Sequence, residues 1–234
     1  MRLTWMKWSA LSATFLIAGS VTMAQDQPAP SSEPPPAQSA NPQTPATAAA
    51  TPAPRAKPKP TVAQRKENQQ DRIAQGVKSG QLTAGETAKL ETKEAAINGE
   101  TKADRAANGG KLTATEKKQV NGQQNKLSKQ ISADKHNANT AQYGNNKVGQ
   151  RRENQQDRIA QGIKSGQMTA GEAAKAENQQ KGINKQVAAD RKANGGTLTT
   201  GEKKQVNKEQ NAASKSIYNK KHNAKTEPPA KPQQ

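Results

Sequence analysis

The chain has 234 residues, a formal net charge of +18, no cysteine and a mean hydropathy of −1.10, and only 30% of it is hydrophobic. An apolar share this far below the roughly 45–50% of ordinary globular domains excludes a thick core, and the missing cysteines exclude a disulfide framework and a lipid-modified cysteine anchor. The cationic surplus favours polyanions as partners.

Residues 1–24 carry basic Arg2 and Lys7, an apolar run from Ala10 to Val21, and small residues Thr22 and Ala24 before a cleavage point. This is the anatomy of a signal peptide, so the product is expected to be exported, periplasmic or extracellular, and not membrane-spanning after cleavage. Both Trp residues and the single Phe fall in this segment, which leaves Tyr143 and Tyr218 as the aromatics of the remainder. Residues 25–63 are rich in Pro, Ala, Ser and Thr and poor in aliphatics, a composition that predicts a disordered, polyproline-like spacer.

From Gln64 the chain repeats. A shift of 86 positions superimposes 64–140 on 150–226 with 50 identities in 77 positions and no gap. Residues 141–149 link the copies and 227–234 form a tail expected to be disordered. Copy two is the more basic, with 16 Lys/Arg against 7 Asp/Glu, where copy one has 14 against 9; a polyanion is expected there first.

The motif Gly-x-Leu/Met-Thr-x-x-Glu occurs four times: Gly80, Leu82, Thr83, Glu86; Gly110, Leu112, Thr113, Glu116; Gly166, Met168, Thr169, Glu172; and Gly196, Leu198, Thr199, Glu202. Thr followed three residues later by Glu is a capping box, which satisfies two donors at a helix start. A preceding Gly closes the helix before it with a positive φ. The motif therefore reads as stop, turn, start, and places helices at about 65–79, 83–108, 113–137, 151–165, 169–194 and 199–223. Ile73/Val77, Leu90/Ile97 and Val120/Leu127/Ile131 share helical faces, as do Ile159/Ile163, Ile183/Val187 and Val206/Ile217. The expectation is an all-α protein of two tandem three-helix repeats, each a short helix packed on a long antiparallel hairpin. The motif's Leu82, Leu112, Met168 and Leu198 are expected in an inter-helix core.

No constellation for catalysis, cofactor or metal emerges, so none is assigned. His136 and His222 sit in matching "KHNA" sequences and lack companion ligands. The glycine, aliphatic, Thr and Glu of the motif have the relative spacing of the second half of a calcium loop, but its leading acidic positions hold Arg105, Ala107 and Gly109. Glu67/Asp71 and Glu153/Asp157 are spaced i,i+4 among Gln and Arg and read as solvated surface.

The stretches "RIAQGVKSGQLTAGE", "ADRAANGGKLTATEKKQV" and "KSIYNKKHNA" resemble uncharacterised exported bacterial proteins with duplicated helical repeats, a resemblance that implies no activity. "LTAGE" and "LTATE" are similar to the Leu-Thr-x-x-Gln signature of Spy-type periplasmic chaperones, which implies an ATP-independent holdase for unfolded clients. The hydrophilic composition is similar to that of hydrophilins, which implies desiccation or stress protection by a chain largely disordered in solution. The turn resembles a calcium-free EF-hand, which implies a degenerate member of that class. The leading expectation is an exported, non-enzymatic, basic helical-repeat protein, an interaction or protective module at the cell envelope. Its expected partners are an anionic envelope polymer or unfolded clients.

Overall fold

The computed structural model describes residues 59–229, which form six α-helices and no strand: α1 (Val62–Lys78), α2 (Ala84–Ala107), α3 (Ala114–Lys135), α4 (Lys147–Lys164), α5 (Ala170–Ala193) and α6 (Thr200–Lys221). The signal-peptide reading, most of the spacer and the end of the tail lie outside these residues. None of the described helices is long and apolar enough to cross a membrane.

Capping chemistry sets the helix starts. Thr83, Thr113, Thr169 and Thr199 each accept from the N3 backbone N–H, and the N3 Glu carboxylate accepts in return from the Thr N–H. Thr61 does the same with Gln64, so Val62 and Ala63, read as spacer, are the first residues of α1. Asn146 caps α4 by accepting from Gly149 N, so the helix begins inside the stretch read as linker. A Pro-poor run with a good cap extends a helix beyond the repeat boundary that sequence identity marks.

Glycine ends α1 and α4. Gly80 and Gly166 adopt φ of 71° and 70°, and the chain turns back so that Leu82 N donates to Gly76 O at 2.9 Å and Met168 N to Gly162 O at 3.0 Å. Leu82 and Met168 then tuck beneath the helix just ended. A Cβ on Gly76 would stand 2.7 Å from Leu82 Cγ, and one on Gly162 2.6 Å from Met168 Sδ. These two helical glycines are therefore packing surfaces.

Within each copy the short helix lies on the long hairpin, and α3 and α6 touch only helices of their own copy. The copies join through α2 against α5 and α1 against α4, each helix meeting its own equivalent. This is the pattern of a twofold, isologous interface, here within one chain. Gly85 approaches Lys181, and the related Gly171 approaches Ala95. As the chain moves forward along α2 from Gly85 to Ala95 its partner moves backward along α5 from Lys181 to Gly171, so the two helices run antiparallel with Leu90 and Ala176 at the pseudo-axis. A large residue on one side meets a small one on the other.

One apolar cluster spans both copies, from Ile73, Val77, Leu82 and Leu90 to Ile159, Ile163, Met168 and Ile217. A second, formed by Val148, Ile183, Val187, Leu198, Val206 and Ala213, fills the far end of copy two. Leu82, Met168 and Leu198 are buried as expected, but Leu112 is only half-buried. It stands at the outer end of copy one, where Thr101 and Thr61 replace the apolar Val187 and the long Lys147 stem of copy two.

Candidate functional site

The four repeated motifs are joints. Their glutamates are committed to capping: Glu86 also accepts from Asn137 and Asn139, Glu172 from Asn223, Glu116 from Asn108 and Glu202 from Asn194. His136 and His222 close α3 and α6, each ring Nδ1–H donating to a carbonyl four residues back, and the His222 ring stacks on Tyr218. Among the described residues no three His, Cys, Asp or Glu side chains converge on one point.

Between the copies lies a polar layer that the sequence reading did not foresee. Glu91, Glu94 and Glu177 are fully buried beside Gln70 and Gln156. Gln70 Nε2 donates to Glu91 at 3.2 Å, and Gln156 Nε2, its equivalent, to Glu177 at 2.9 Å. Burial pushes the Glu177 carboxyl up to about 8 against the pull of Gln156, and pushes Glu91 well above the carboxylate range. It raises Glu94 to about 7, with the Lys66 ammonium pulling the other way. Asp71, read as solvated, is also buried, and Gln75 donates to it at 2.6 Å. Periodicity assigned it to a polar face; the second copy covers that face.

Two related grooves lie one at the outer end of each copy, where the start of its first helix meets the end of its second and the start of its third. In copy two a groove of about 840 Å³ is lined by Lys147, Arg151, Arg191 and Lys203, with Asn207 and Asn211 between them and Val148 and Leu198 as its apolar floor. In copy one the groove is about 510 Å³ and presents Arg105, Lys111, Lys117 and Asn121 over Val62 and Leu112. Neither lining contains an acid. In the copy-two groove Arg151 donates to Asn207 at 3.2 Å and to Asn211; in copy one the equivalent Arg65, which lies outside the groove lining, donates to Asn125 at 2.6 Å. Neutral amides thus orient these guanidinium groups without cancelling their charge, a geometry ready for carboxylate or phosphate oxygens.

The chain matches no family model, no curated protein and no solved structure. Its two copies still provide an internal comparison. Arg65/Arg151, Arg105/Arg191, Leu112/Leu198, Lys117/Lys203, Asn121/Asn207 and Asn125/Asn211 are identical pairs across the duplication. Sequence reasoning passed over them because they are scattered over three helices. Identity between copies at exposed cationic positions was the signal available to find them.

Proposed function

We propose that the protein is an exported, non-enzymatic binding module for anionic polymers at the cell envelope, gripping them through its paired cationic grooves. The observation that carries this reading is a groove repeated in both copies and lined by Arg, Lys and Asn without an acid. Cations held by amides attract a polyanion at long range and then pair with its oxygens. Two grooves on one chain let a polymer engage the second site at high effective concentration, so modest affinity per groove becomes useful avidity. The charge reading is favoured over an unfolded-client holdase, because among the described residues Tyr218 is the sole large hydrophobic left exposed.

The test is titration with an acidic polysaccharide and with its neutral counterpart, at low salt and near 0.2 M, where screening shortens to about 8 Å or less. Binding is expected to be selective for the acidic polymer and to weaken steeply with salt. Arg191→Ala with Lys203→Ala should weaken it by about tenfold, the equivalent of one good charge-assisted contact. Equal binding of the neutral polymer, or indifference to salt, would sink the reading.

A further inference from the structure

The segment that follows each copy's last helix ties back to that copy's own joint glycine and then reaches the other copy, and the two crossings differ in one side chain. After α6, Glu227 N donates to Gly166 O at 2.8 Å, and its carboxylate enters a site between the copies. There it pairs with Lys66 Nζ at 3.0 Å and accepts from Asn98 Nδ2 at 3.5 Å and from the backbone N–H of Ala170, the first residue of α5, at 3.4 Å. After α3 the backbone does the same: Ala141 N donates to Gly80 O at 2.9 Å. The 86-residue shift places Ala141 on Glu227, and alanine brings no carboxylate.

The site beside Ala141 nevertheless keeps the receiving parts. Arg152 replaces Lys66, Asn184 matches Asn98, and the N–H of Ala84, at the start of α2, matches that of Ala170. The N–H groups of a helix's first turn have no intrahelical partner. Copy two also adds cations: Lys181 and Lys185 stand where copy one has Ala95 and Gly99, and Gln180 replaces the acid Glu94. Arg152, Asn184, Lys181, Lys185 and Ala84 line a cavity of about 350 Å³ with no acid in its wall. Arg152 is only 7% exposed, and its Nε has no partner among the described residues. Its Nη2 donates to Gln142 O at 3.2 Å, and the Tyr143 ring lies 5.4 Å from the guanidinium carbon, so the group is held in place by neutral partners. Glu177, bonded to the lining Gln156, is raised to about 8 by burial and is largely protonated at neutral pH, so it does not neutralise the site. One site has its anion built in; its twin has more cation and no acid from the chain.

We propose that the cavity at Arg152 binds a small aliphatic dicarboxylate, one carboxylate taking the place that Glu227 takes in the twin site and the other pairing with Lys181 and Lys185. The twin shows which chemistry this architecture accepts: a carboxylate on a cation, an asparagine amide and a helix-start N–H. Arg152 suits that ligand better than Lys66 does, because a guanidinium fork can hold both oxygens of one carboxylate. A cation taken out of water without a counter-ion is destabilising, and a bound carboxylate relieves it. Charge sets the number of acid groups. Copy one balances Glu227 against the single Lys66, whereas copy two gathers Arg152, Lys181 and Lys185, which one carboxylate leaves in excess. The stem of Lys181 lies along Gly85, where a Cβ would meet its Cδ at 3.5 Å, so its ammonium belongs to the same cavity as the start of α2. Size limits the rest of the ligand: about 350 Å³ is at the small end of ligand pockets, which run from roughly 300 to 1,000 Å³. The inference goes beyond the polymer reading and uses none of the groove residues, so either can fail alone.

Isothermal titration calorimetry of the full chain at low salt tests it, with glutarate as the probe and butyrate, glutaramide and inorganic phosphate as comparisons. Glutarate is expected to bind once per chain, about tenfold or more tightly than butyrate, the equivalent of one further charged contact. Glutaramide should not bind. Lys181→Ala with Lys185→Ala should bring glutarate down to the level of butyrate while changing butyrate less; the first of these restores the residue that copy one carries. Ala141→Glu, which supplies the carboxylate from the crossing itself, should abolish glutarate binding and raise the melting temperature at low salt. The proposal is overturned if glutarate binds no more tightly than butyrate, if it binds twice per chain, or if Ala141→Glu binds it undiminished. Tighter binding of inorganic phosphate would also overturn it, assigning the cavity to phosphoryl groups.

Discussion

At the scale of single residues, the protein combines two kinds of glutamate whose titrations oppose each other. Burial acts to raise the capping Glu86, but hydrogen bonds from Thr83, Asn137 and Asn139 outweigh it and leave the carboxyl below its ordinary value of 4.5; Glu172 behaves alike through Asn223 and Thr169. Their stabilisation is present above 4.5 and is lost as pH falls through the lowered values. Glu177 and Glu94 are raised to about 8 and about 7, so the native state binds more protons than the unfolded chain between 4.5 and those values. Their stabilisation is complete below 4.5 and is lost as pH rises through 7 and 8. Thermal melts are therefore expected to show maximal stability in mild acid, near pH 5, with a decline towards pH 9. Glu177→Gln, which retains the shape and removes the titration, should flatten the alkaline decline; an unchanged slope would refute the assignment to this layer.

At the scale of elements, the helical glycines separate into two classes that the sequence alone treats as one. Gly76 sits under Leu82, and an added Cβ meets its Cγ and Cδ1 at 2.7 Å; Gly182 faces open space. Gly182→Ala should stabilise α5 by about 0.5–1 kcal/mol, the usual helical gain over Gly. Gly76→Ala should instead destabilise by roughly 1–3 kcal/mol, because the joint must shift to admit the methyl. Urea denaturation of the two variants provides the comparison, and a stabilising Gly76→Ala would show that Leu82 does not pack beneath α1. The caps and joints were legible beforehand because they are local: Thr and Glu three residues apart, with Gly just before, contain the whole hydrogen-bonding logic. Asp71 and Leu112 were misjudged because their surroundings come from distant residues.

At the scale of the molecule, the apolar cluster that runs from Ile73 to Ile217 makes the two copies one body rather than two beads on a string. Neither copy has enough aliphatic side chains of its own for a closed core, and the α2–α5 and α1–α4 contacts complete both. Urea unfolding is expected to give a single transition, coincident by far-UV circular dichroism and by tyrosine fluorescence from Tyr143 at the joint and Tyr218 on α6. Two separated transitions would show that the copies fold independently. The α2–α5 and α1–α4 contacts of this joint set the spacing of the two cationic grooves.

The sequence by itself determined the helical class, the duplication and the position of every stop, turn and start among the four motifs. Each of those rests on the spacing of a few neighbouring residues. Tertiary structure alone decided that the copies face each other across a pseudo-twofold axis. It also placed Glu91, Glu94 and Glu177 inside, and set Arg, Lys and Asn from three helices around the copy-two groove. These outcomes depend on which surfaces meet, and burial or charge clustering created by a partner helix leaves no trace in the local pattern of either one.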